Sequence, residues 1–317
     1  MRFARPGNKV ARTNGALLPE PNLFYNQPMK PIIAITLGDP AGIGPEVVAK
    51  ALRDPRLPKG FRYEVLGEHR GAKPGKLTRT GTRVALKALA EAAEGCRTGK
   101  YAAMVTGPVH KEALAQIQRD FVGQTEFLAR ACGLPDDAAV MCLTDPKLTV
   151  ALCSNHCSLK DAIKRLTPKR ITYVAKITRE FLQRSGRAQA GRGLAFAGVN
   201  PHLGEAGMFG DEDFRLVAPA VIKLNREGIA IAHAPADTVF HYAVNKRAFD
   251  AVICAYHDQG LIPFKLVAFE TGVNVTLGLP IIRTSPDHGT ALEIAGKNVA
   301  DHRSMLAAVQ LAAKLAR

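Results

Sequence analysis

The 317-residue sequence lacks long apolar runs, paired-cysteine motifs and an acidic surplus. Its longest apolar runs, residues 150–153 and 273–282, are too short or too interrupted to cross a bilayer, which takes about 20 residues. The six cysteines include no Cys-x-x-Cys pair, and a chain of this size does not need disulfides for stability. We therefore expect a cytoplasmic protein with reduced thiols and no membrane partner.

Three common nucleotide-binding and hydrolase motifs are also missing. Segment 38–44 (GDPAGIG) lies between a predicted strand and a predicted helix, where backbone N–H groups can cradle a phosphate. It does not match the Gly-x-Gly-x-x-Gly fingerprint of Rossmann domains. Segment 71–77 (GAKPGKL) is one residue short of a P-loop and has no Ser or Thr after its lysine. No Gly-x-Ser-x-Gly sequence occurs, which argues against an α/β-hydrolase.

Basic residues outnumber acidic residues by 43 to 28, which gives a formal net charge of +15. The cations are spread over several segments, with few aromatic residues between them to stack on bases. This distribution indicates solvated surfaces or attraction of anionic substrates. We expect no nucleic-acid partner.

Residues 1–30 combine prolines, asparagines and scattered cations, and we predict a flexible N-terminal extension, with a mitochondrial-type presequence as the alternative. From residue 31 onward, apolar β-rich runs alternate with helical patterns. Strands are predicted at 32–37, 62–66, 101–106, 139–143, 148–153, 194–199, 251–255 and 273–277. Helical stretches are predicted at 46–52, 84–93, 111–118, 125–132, 168–185, 211–227, 291–295 and 304–316. This alternation predicts an α/β fold with mostly parallel sheets and helices on both faces.

Polar clusters follow several predicted strands, and carboxyl ends of strands are where ligands gather in α/β sheets, so these side chains can converge. His156, His202 and His257 each lie one to three residues after a predicted strand. Imidazoles bind divalent metals well, and three protein ligands leave a position open for substrate. The spacing alone leaves two interpretations open, a metal site or ordinary loop histidines.

Two cations follow apolar segments. Lys265 comes after Pro263 and Phe264, and Arg283 comes after residues 279–282. Each is either a surface residue or a clamp for an anionic group, which arginine binds with two parallel hydrogen bonds and lysine as a point charge.

Six segments, read in order, resemble the 4-hydroxythreonine-4-phosphate dehydrogenase family (PdxA-like) of vitamin B6 biosynthesis. They are ITLGDPAGIGPE (35–46), VTGPVHKEAL (105–114), GQTEFLA (123–129), VNPHLGEAGMFGDED (199–213), PADTVF (235–240) and the long stretch from YHDQGLIPFK to DHGTALEIAG (256–296). The resemblance covers most of residues 31–317, and its last segment is the most specific.

The resemblance implies a two-domain fold like that of isocitrate and isopropylmalate dehydrogenases, with a cleft between the domains. Residues 31–123 and 280–317 would form the first α/β domain. Residues 124–279 would form the second, with most metal and substrate residues and the dimer interface. The implied reaction is NAD- or NADP-dependent oxidation of 4-phosphooxy-L-threonine with β-decarboxylation to 3-amino-2-oxopropyl phosphate, in pyridoxal 5'-phosphate biosynthesis. It would need one divalent metal per subunit (zinc, magnesium or cobalt) and a homodimer with a shared active site.

The family's functional residues fall on positions of this chain that match its motifs. The implied metal ligands are His156, His202 and His257, with the third coming from the partner subunit. Together with Lys265 and Asp258 they form the implied catalytic set. The remaining implied contacts are Gln124, Thr125, Lys265, Asn274 and Arg283 for the substrate, and His288, Gly289, Thr290 and Glu293 for the cofactor.

Two departures from the family pattern leave the substrate open. The family usually has His where this chain has Gln124, which carries no charge at any pH. The stretch between Leu66 and Leu77 is also much shorter than in the family. The alternatives are a dehydrogenase of erythronate or threonate 4-phosphate or of a dihydrodiol carboxylate, a non-catalytic metal- and NAD-binding homologue, and a phosphoryl or acyl transferase on a similar scaffold.

Overall fold

Ten strands form one mixed sheet in the computed structural model, which describes residues 30–68 and 70–317. The strand order is β2-β1-β3-β10-β9-β4-β5-β8-β6-β7. The strands are β1 Ile32–Thr36, β2 Arg62–Leu66, β3 Ala103–Thr106, β4 Val140–Thr144, β5 Thr149–Leu152, β6 Gly193–Ala197, β7 Ile231–Ala234, β8 Phe249–Cys254, β9 Val273–Leu277 and β10 Arg283–Pro286.

Ten α-helices within the described residues connect and cover these strands. They are α1 Gly44–Arg53, α2 Arg79–Arg97, α3 Lys111–Ile117, α4 Gln124–Ala131, α5 Leu159–Arg165, α6 Pro168–Arg184, α7 Ala218–Arg226, α8 Ala236–Val244, α9 His257–Ala268 and α10 Arg303–Leu315. Short 3₁₀ and π turns occupy Asp136–Ala138 and Asp213–Val217. Of the helices in this part of the chain, none is long and apolar enough to span a bilayer.

The sheet contains two parallel blocks that run in opposite directions. Strands β2, β1, β3 and β10 are mutually parallel, and so are β5, β8, β6 and β7. Three antiparallel steps, β10 to β9, β9 to β4 and β4 to β5, separate the blocks. The prediction of a mostly parallel α/β sheet is confirmed. The carboxyl ends of the strands in the two blocks nevertheless point in opposite directions. The polar clusters that follow the strands therefore do not all lie at the same end of the sheet.

Alternation along the strands sends side chains into cores on both faces. In β1, the fully buried Ile33 and Ile35 join the core beneath α1, α6, α7 and α10, whereas Ala34 joins the core beneath α2. A third core lies between β5, β8 and helices α8 and α9, where Phe264 is fully buried. Helices therefore cover both faces, as the alternating pattern predicts.

Residues Pro31–Arg317 form one compact unit. The division into residues 31–123 with 280–317 and residues 124–279 stays a prediction. The predicted extension, residues 1–30, lies outside the described residues except for Lys30.

Candidate active site

Two of the three predicted metal ligands lie side by side. His156 follows β5 and His257 begins α9 directly after β8, and these strands are neighbours with Leu152 opposite Cys254. The ring centres of His156 and His257 are 5.2 Å apart. Because adjacent parallel strands end together, the sheet itself produces this pairing.

Hydrogen bonds fix the loops that hold both rings. Ser154 Oγ donates to the Ala255 carbonyl at 2.8 Å and so joins the two strand ends. Gln259 accepts from the Ala255 amide and donates to the Gly198 carbonyl, both at 2.7 Å. His257 Nδ1 lies 2.6 Å from Asp258 Oδ1. A proton on Nδ1 that is donated to Asp258 leaves Nε2 of His257 free to bind a metal, which is the orienting arrangement common around metal-bound histidines.

The imidazole of His156 is neutral at physiological pH. Burial lowers its pKa to about 4, and the nearby Lys111 and His257 add to the effect. Its Nε2 lies 3.3 Å from Lys111 Nζ. Neutral imidazole is the form that binds metals. A lone pair that would bind a metal therefore faces a lysine ammonium in this structure.

The histidine pair fits a divalent ion, but it is not a complete site within one chain. Two imidazoles on one tetrahedral zinc have ring centres about 5 Å apart, given zinc–nitrogen distances of about 2.0–2.1 Å. Among residues 30–68 and 70–317, no three His, Cys, Asp or Glu side chains are grouped so that they could hold a metal ion. His202 is exposed and is not grouped with this pair within the described residues.

His202 lies in a strained and exposed turn. Five consecutive residues, 202–206, have φ between 40° and 85°, and only one of them is glycine. The left-handed conformation costs about 1–2 kcal/mol for each non-glycine residue. Large apolar side chains follow the turn, with Met208 at 74% exposure and Phe214 at 81%. Strain of this kind is retained where function needs a defined local geometry.

Arg283 is a buried cation whose hydrogen-bond acceptors are all neutral. It is 3% exposed, and it donates to Thr106 Oγ1 at 2.8 and 3.0 Å and to Thr276 Oγ1 at 3.0 Å. Its Nη2 also donates to Gln124 Oε1 at 3.2 Å. Burial lowers its pKa to about 10, so it stays protonated at neutral pH. A buried guanidinium with neutral partners is suited to an anionic ligand.

Glu126 is a negative charge near both Arg283 and Lys111, and it favours the protonated form of each. Its side chain is buried, and its Oε2 has no hydrogen-bond partner within the described residues. The same holds for Asn155 Oδ1 and for Asn274 Oδ1, a predicted substrate contact. A cavity of about 890 Å³ is lined by Glu126, Asn155 and His156 among others. Buried polar atoms of this kind require a ligand or ordered water.

Lys265 is paired with an acid. Its Nζ lies 2.7 Å from Asp287 Oδ2 and also donates to the Asp287 carbonyl. Burial raises the pKa of Asp287 above its usual value, despite the opposing effect of Lys265. The ion pair joins α9 to the end of β10. It brings a predicted substrate residue next to His288, the first predicted cofactor residue.

The predicted cofactor segment packs against the glycine loop. The Ile43 amide donates to the Thr290 carbonyl at 2.9 Å. A Cβ on Gly42 would lie 2.8 Å from that carbonyl oxygen, so the contact excludes any side chain there. Burial lowers the pKa of His288, and its Nε2 is buried without a partner in the described part of the chain. Gly289 and Glu293 lie in the same segment, and Thr125 is the second residue of α4, directly after Gln124.

Sequence reasoning did not select four residues of this site: Lys111, Glu126, Asn155 and Asp287. Lys111 and Glu126 lie within quoted motifs, and Asn155 and Asp287 are adjacent to predicted site residues. Their closeness in sequence to predicted site residues was the only indication that they belong to the site. No spacing rule identifies a buried acid or a lysine that lies beside a histidine.

Solved structures define the class of the fold. The chain is similar to a crystal structure of 4-hydroxythreonine-4-phosphate dehydrogenase from Klebsiella pneumoniae, with a TM-score of 0.75, 34% identity, and coverage of 90% of this chain and 100% of that one. It also resembles a β-decarboxylating dehydrogenase from Thermococcus kodakarensis, with a TM-score of 0.55, 16% identity, and coverage of 90% and 82%. The second likeness shows the fold alone. The predicted isocitrate dehydrogenase-like fold is confirmed.

The chain belongs to the PdxA family, described as pyridoxal phosphate biosynthetic protein PdxA, which matches residues 47–312. It is 40% identical to 4-hydroxythreonine-4-phosphate dehydrogenase of Geobacter metallireducens, over 91% of this chain and 96% of the relative. It is 38% identical to a protein of Bradyrhizobium diazoefficiens assigned as a D-threonate 4-phosphate dehydrogenase, over 90% and 96%. The chain is therefore a dehydrogenase of this family, which implies use of NAD or NADP.

Proposed function

We propose that the chain oxidises 4-phosphooxy-L-threonine with NAD or NADP and a divalent metal, with β-decarboxylation to 3-amino-2-oxopropyl phosphate, in pyridoxal 5'-phosphate biosynthesis. The observation that carries the proposal is the neutral His156 beside His257, in a site that also buries Arg283 among neutral acceptors. The histidine pair suits a metal, and the buried Arg283 suits a phosphate or carboxylate.

The chain's own residues would hold and orient the substrate. Arg283 and Lys265 supply positive charge for its anionic groups, and Asn274 and Thr125 supply neutral hydrogen bonds. Asp258 fixes the tautomer of His257. When bound by the histidines and the cofactor segment, a divalent ion and NAD(P) supply Lewis acidity toward the hydroxyl and a hydride acceptor.

A second copy of the chain would complete the metal site. The described part of one chain pairs only His156 and His257, whereas His202 lies in an exposed turn, and Phe214, further along the chain, is also exposed. On α9, next to His257, Ile262 and Leu266 are 70% and 85% exposed. Apolar patches of this kind mark protein–protein interfaces. A homodimer that buries both patches would bring His202 of one copy to the pair of the other.

Reduction of NAD(P) on addition of 4-phosphooxy-L-threonine, followed at 340 nm with and without a chelator, tests the reaction. His202→Ala should lose turnover and metal binding, while His241→Ala, at an exposed histidine of α8, should keep both. Turnover that survives both the chelator and His202→Ala would contradict the metal assignment.

Mixed dimers test the shared site. Equal amounts of His202→Ala and His257→Ala, unfolded and refolded together, form dimers in which one site keeps all three histidines only if His202 crosses between copies. Recovery of roughly a quarter of wild-type activity is expected, because half of the dimers are mixed and each has one intact site of two. No recovery would place all ligands within one chain.

A second candidate is the oxidation of D-threonate 4-phosphate. It is favoured by the similar Bradyrhizobium protein and by Gln124, the uncharged residue that contacts Arg283. Threonate has a hydroxyl in place of an amino group, so the two substrates differ in charge close to the reacting carbon. The kcat/KM ratio for the two phosphorylated substrates, measured side by side, distinguishes the candidates.

A further inference from the structure

One buried carboxylate fixes the backbone immediately before the His202 turn. Asp213 is 1% exposed and begins the π turn Asp213–Val217. Its Oδ1 accepts from the Val199 amide and its Oδ2 accepts from the Asn200 amide, both at 2.8 Å. His233 Nε2, on β7, lies 2.8 Å from the same Oδ1. The end of β6, the π turn and β7 therefore meet at a single side chain.

The hydrogen bonds that Asp213 accepts hold the residues immediately before the left-handed turn, and so they control its direction. Asn200 is two residues before His202, and its carbonyl accepts from the Leu203 amide at 3.2 Å. The Asn200 side chain donates to Glu212 Oε2 at 2.7 Å, which adds a second link between the same two segments. The left-handed run 202–206 thus starts from a backbone position that residues 212 and 213 define.

The far side of the turn is fixed by close packing. The Phe209 amide donates to the Gly204 carbonyl at 3.1 Å. A Cβ on Gly204 would lie 2.5 Å from the Gly210 carbonyl oxygen, so only glycine fits there. Strained conformations persist only where the surroundings over-determine them, and π turns recur at functional sites. The left-handed turn 202–206 is held by contacts on both sides, and one of these contacts comes from a π turn.

We infer that Asp213 is a positioning residue for the metal site: its carboxylate fixes residues 199–200 and, through the left-handed turn, the direction in which His202 projects. This inference rests on the proposed function, since it takes His202 as a metal ligand. It also gives the π turn a role, because that turn places the Asp213 carboxylate against two consecutive amides.

The chemistry of the contact requires a carboxylate. Burial would raise the pKa of Asp213, but hydrogen bonds from His233, Val199 and Asn200 outweigh it and lower the pKa below its usual value. Asparagine has the same shape, but its amide nitrogen would face a backbone N–H as a second donor. One of the two hydrogen bonds from the Val199 and Asn200 N–H groups would be lost. The backbone immediately before the turn would then no longer be held in one position.

The test compares cobalt binding by full-length Asp213→Asn, Asp211→Asn and His202→Ala with wild type, using Co²⁺ competition against a chelator and the visible Co²⁺ spectrum. Asp211 is the matched control, because Asp211→Asn loses the same charge in the same segment, and the partner of Asp211 among residues 30–68 and 70–317 is the exposed Arg215. Asp213→Asn should bind Co²⁺ about 10–100-fold more weakly with an altered spectrum, as for other residues that orient metal ligands. Asp211→Asn should match wild type.

The outcomes separate this inference from the proposed function. If His202→Ala loses affinity while folded Asp213→Asn keeps wild-type affinity and spectrum, the positioning role is overturned and the metal assignment stands. Wild-type affinity in His202→Ala overturns both. If Asp213→Asn fails to fold by circular dichroism, His233→Ala decides, because it removes the contact that orients the Asp213 carboxylate toward the two backbone N–H groups. It should weaken Co²⁺ several-fold, and unchanged binding would overturn the role.

Discussion

Gln124 holds the buried guanidinium of Arg283 in place and is itself held by the backbone. Its Oε1 accepts from Arg283 Nη2 at 3.2 Å, and its Nε2 donates to the Gly107 carbonyl at 3.2 Å. The oxygen and the nitrogen of the Gln124 amide therefore each have a partner, and these two hydrogen bonds fix the orientation of the amide. Gln124, a residue that cannot titrate, thus links the buried Arg283 to the loop after β3.

Gln124→Ala should weaken substrate binding. The substitution leaves an N–H of a buried arginine and a carbonyl oxygen without partners, and a hydrogen bond to a charged group contributes about 1.5–3 kcal/mol. We expect the KM for the phosphorylated substrate to rise by about 10–100-fold, with a smaller change in kcat. Steady-state kinetics with saturating NAD(P) measure both constants.

Gln116→Ala is the control for this change, because Gln116 is an exposed residue on the neighbouring helix α3. It should behave as wild type. A wild-type KM in Gln124→Ala would show that Arg283 keeps its position without the amide.

His156 should make the metal-free protein less stable in mild acid. Its pKa is lowered to about 4 by burial, whereas an imidazole in the unfolded chain titrates near 6.5. Between these values the unfolded chain binds a proton that the native state does not, so the free energy of unfolding falls as the pH falls through this window. Because the ring is partly exposed, we expect a loss of about 1–2 kcal/mol.

Urea unfolding with a chelator present, at pH 7.5 and at pH 4.5, measures this loss. In His156→Gln the difference between the two pH values should shrink by that amount, whereas His241→Gln, at an exposed position, should leave it unchanged. An equal pH dependence in wild type and His156→Gln would show that other groups cause the acid sensitivity.

The alternation of strands and helices was enough to predict the fold class and most strands. Strand 32–37 was predicted and Ile32–Thr36 is observed, because a β-rich apolar run followed by a glycine loop has few other solutions. Strand β10 was not predicted: its sequence, RTSP, has no apolar pattern. It is a strand because Arg283 and Thr284 pair with β3 and β9, which sequence neighbours do not reveal.

The same limit applies to the site. The pairing of His156 with His257 could be expected once both were placed after parallel strands, but adjacency of β5 and β8 is a property of topology. A helical pattern over residues 211–227 predicts one helix. The structure has a continuous helical segment there, but its first part, Asp213–Val217, is a π turn whose Asp213 accepts hydrogen bonds from the residues after β6. Contacts between distant segments override local propensity there.

Gly42→Ala should impair cofactor binding without affecting the metal. The added methyl would meet the Thr290 carbonyl oxygen at 2.8 Å and the Thr290 Cβ at 3.0 Å. The glycine loop would then push the predicted cofactor segment outward, and overpacking of this kind costs about 1–3 kcal/mol. We expect the KM for NAD(P) to rise by roughly 5–100-fold, with Co²⁺ affinity unchanged. An unchanged KM for NAD(P) would place the cofactor away from this contact.

Leu266→Glu should separate the two copies and remove activity while each chain stays folded. Leu266 is 85% exposed on α9 in the single chain, so a charge there costs nothing in an isolated chain but would be buried in the proposed dimer. Light scattering should shift from dimer to monomer, and turnover should fall by at least 100-fold because His202 of the second copy is lost. Val299→Glu, at a residue 65% exposed elsewhere, should stay dimeric and active. A dimeric and active Leu266→Glu would show that α9 does not form the interface, and a monomeric but active one would show that a single chain holds the complete site.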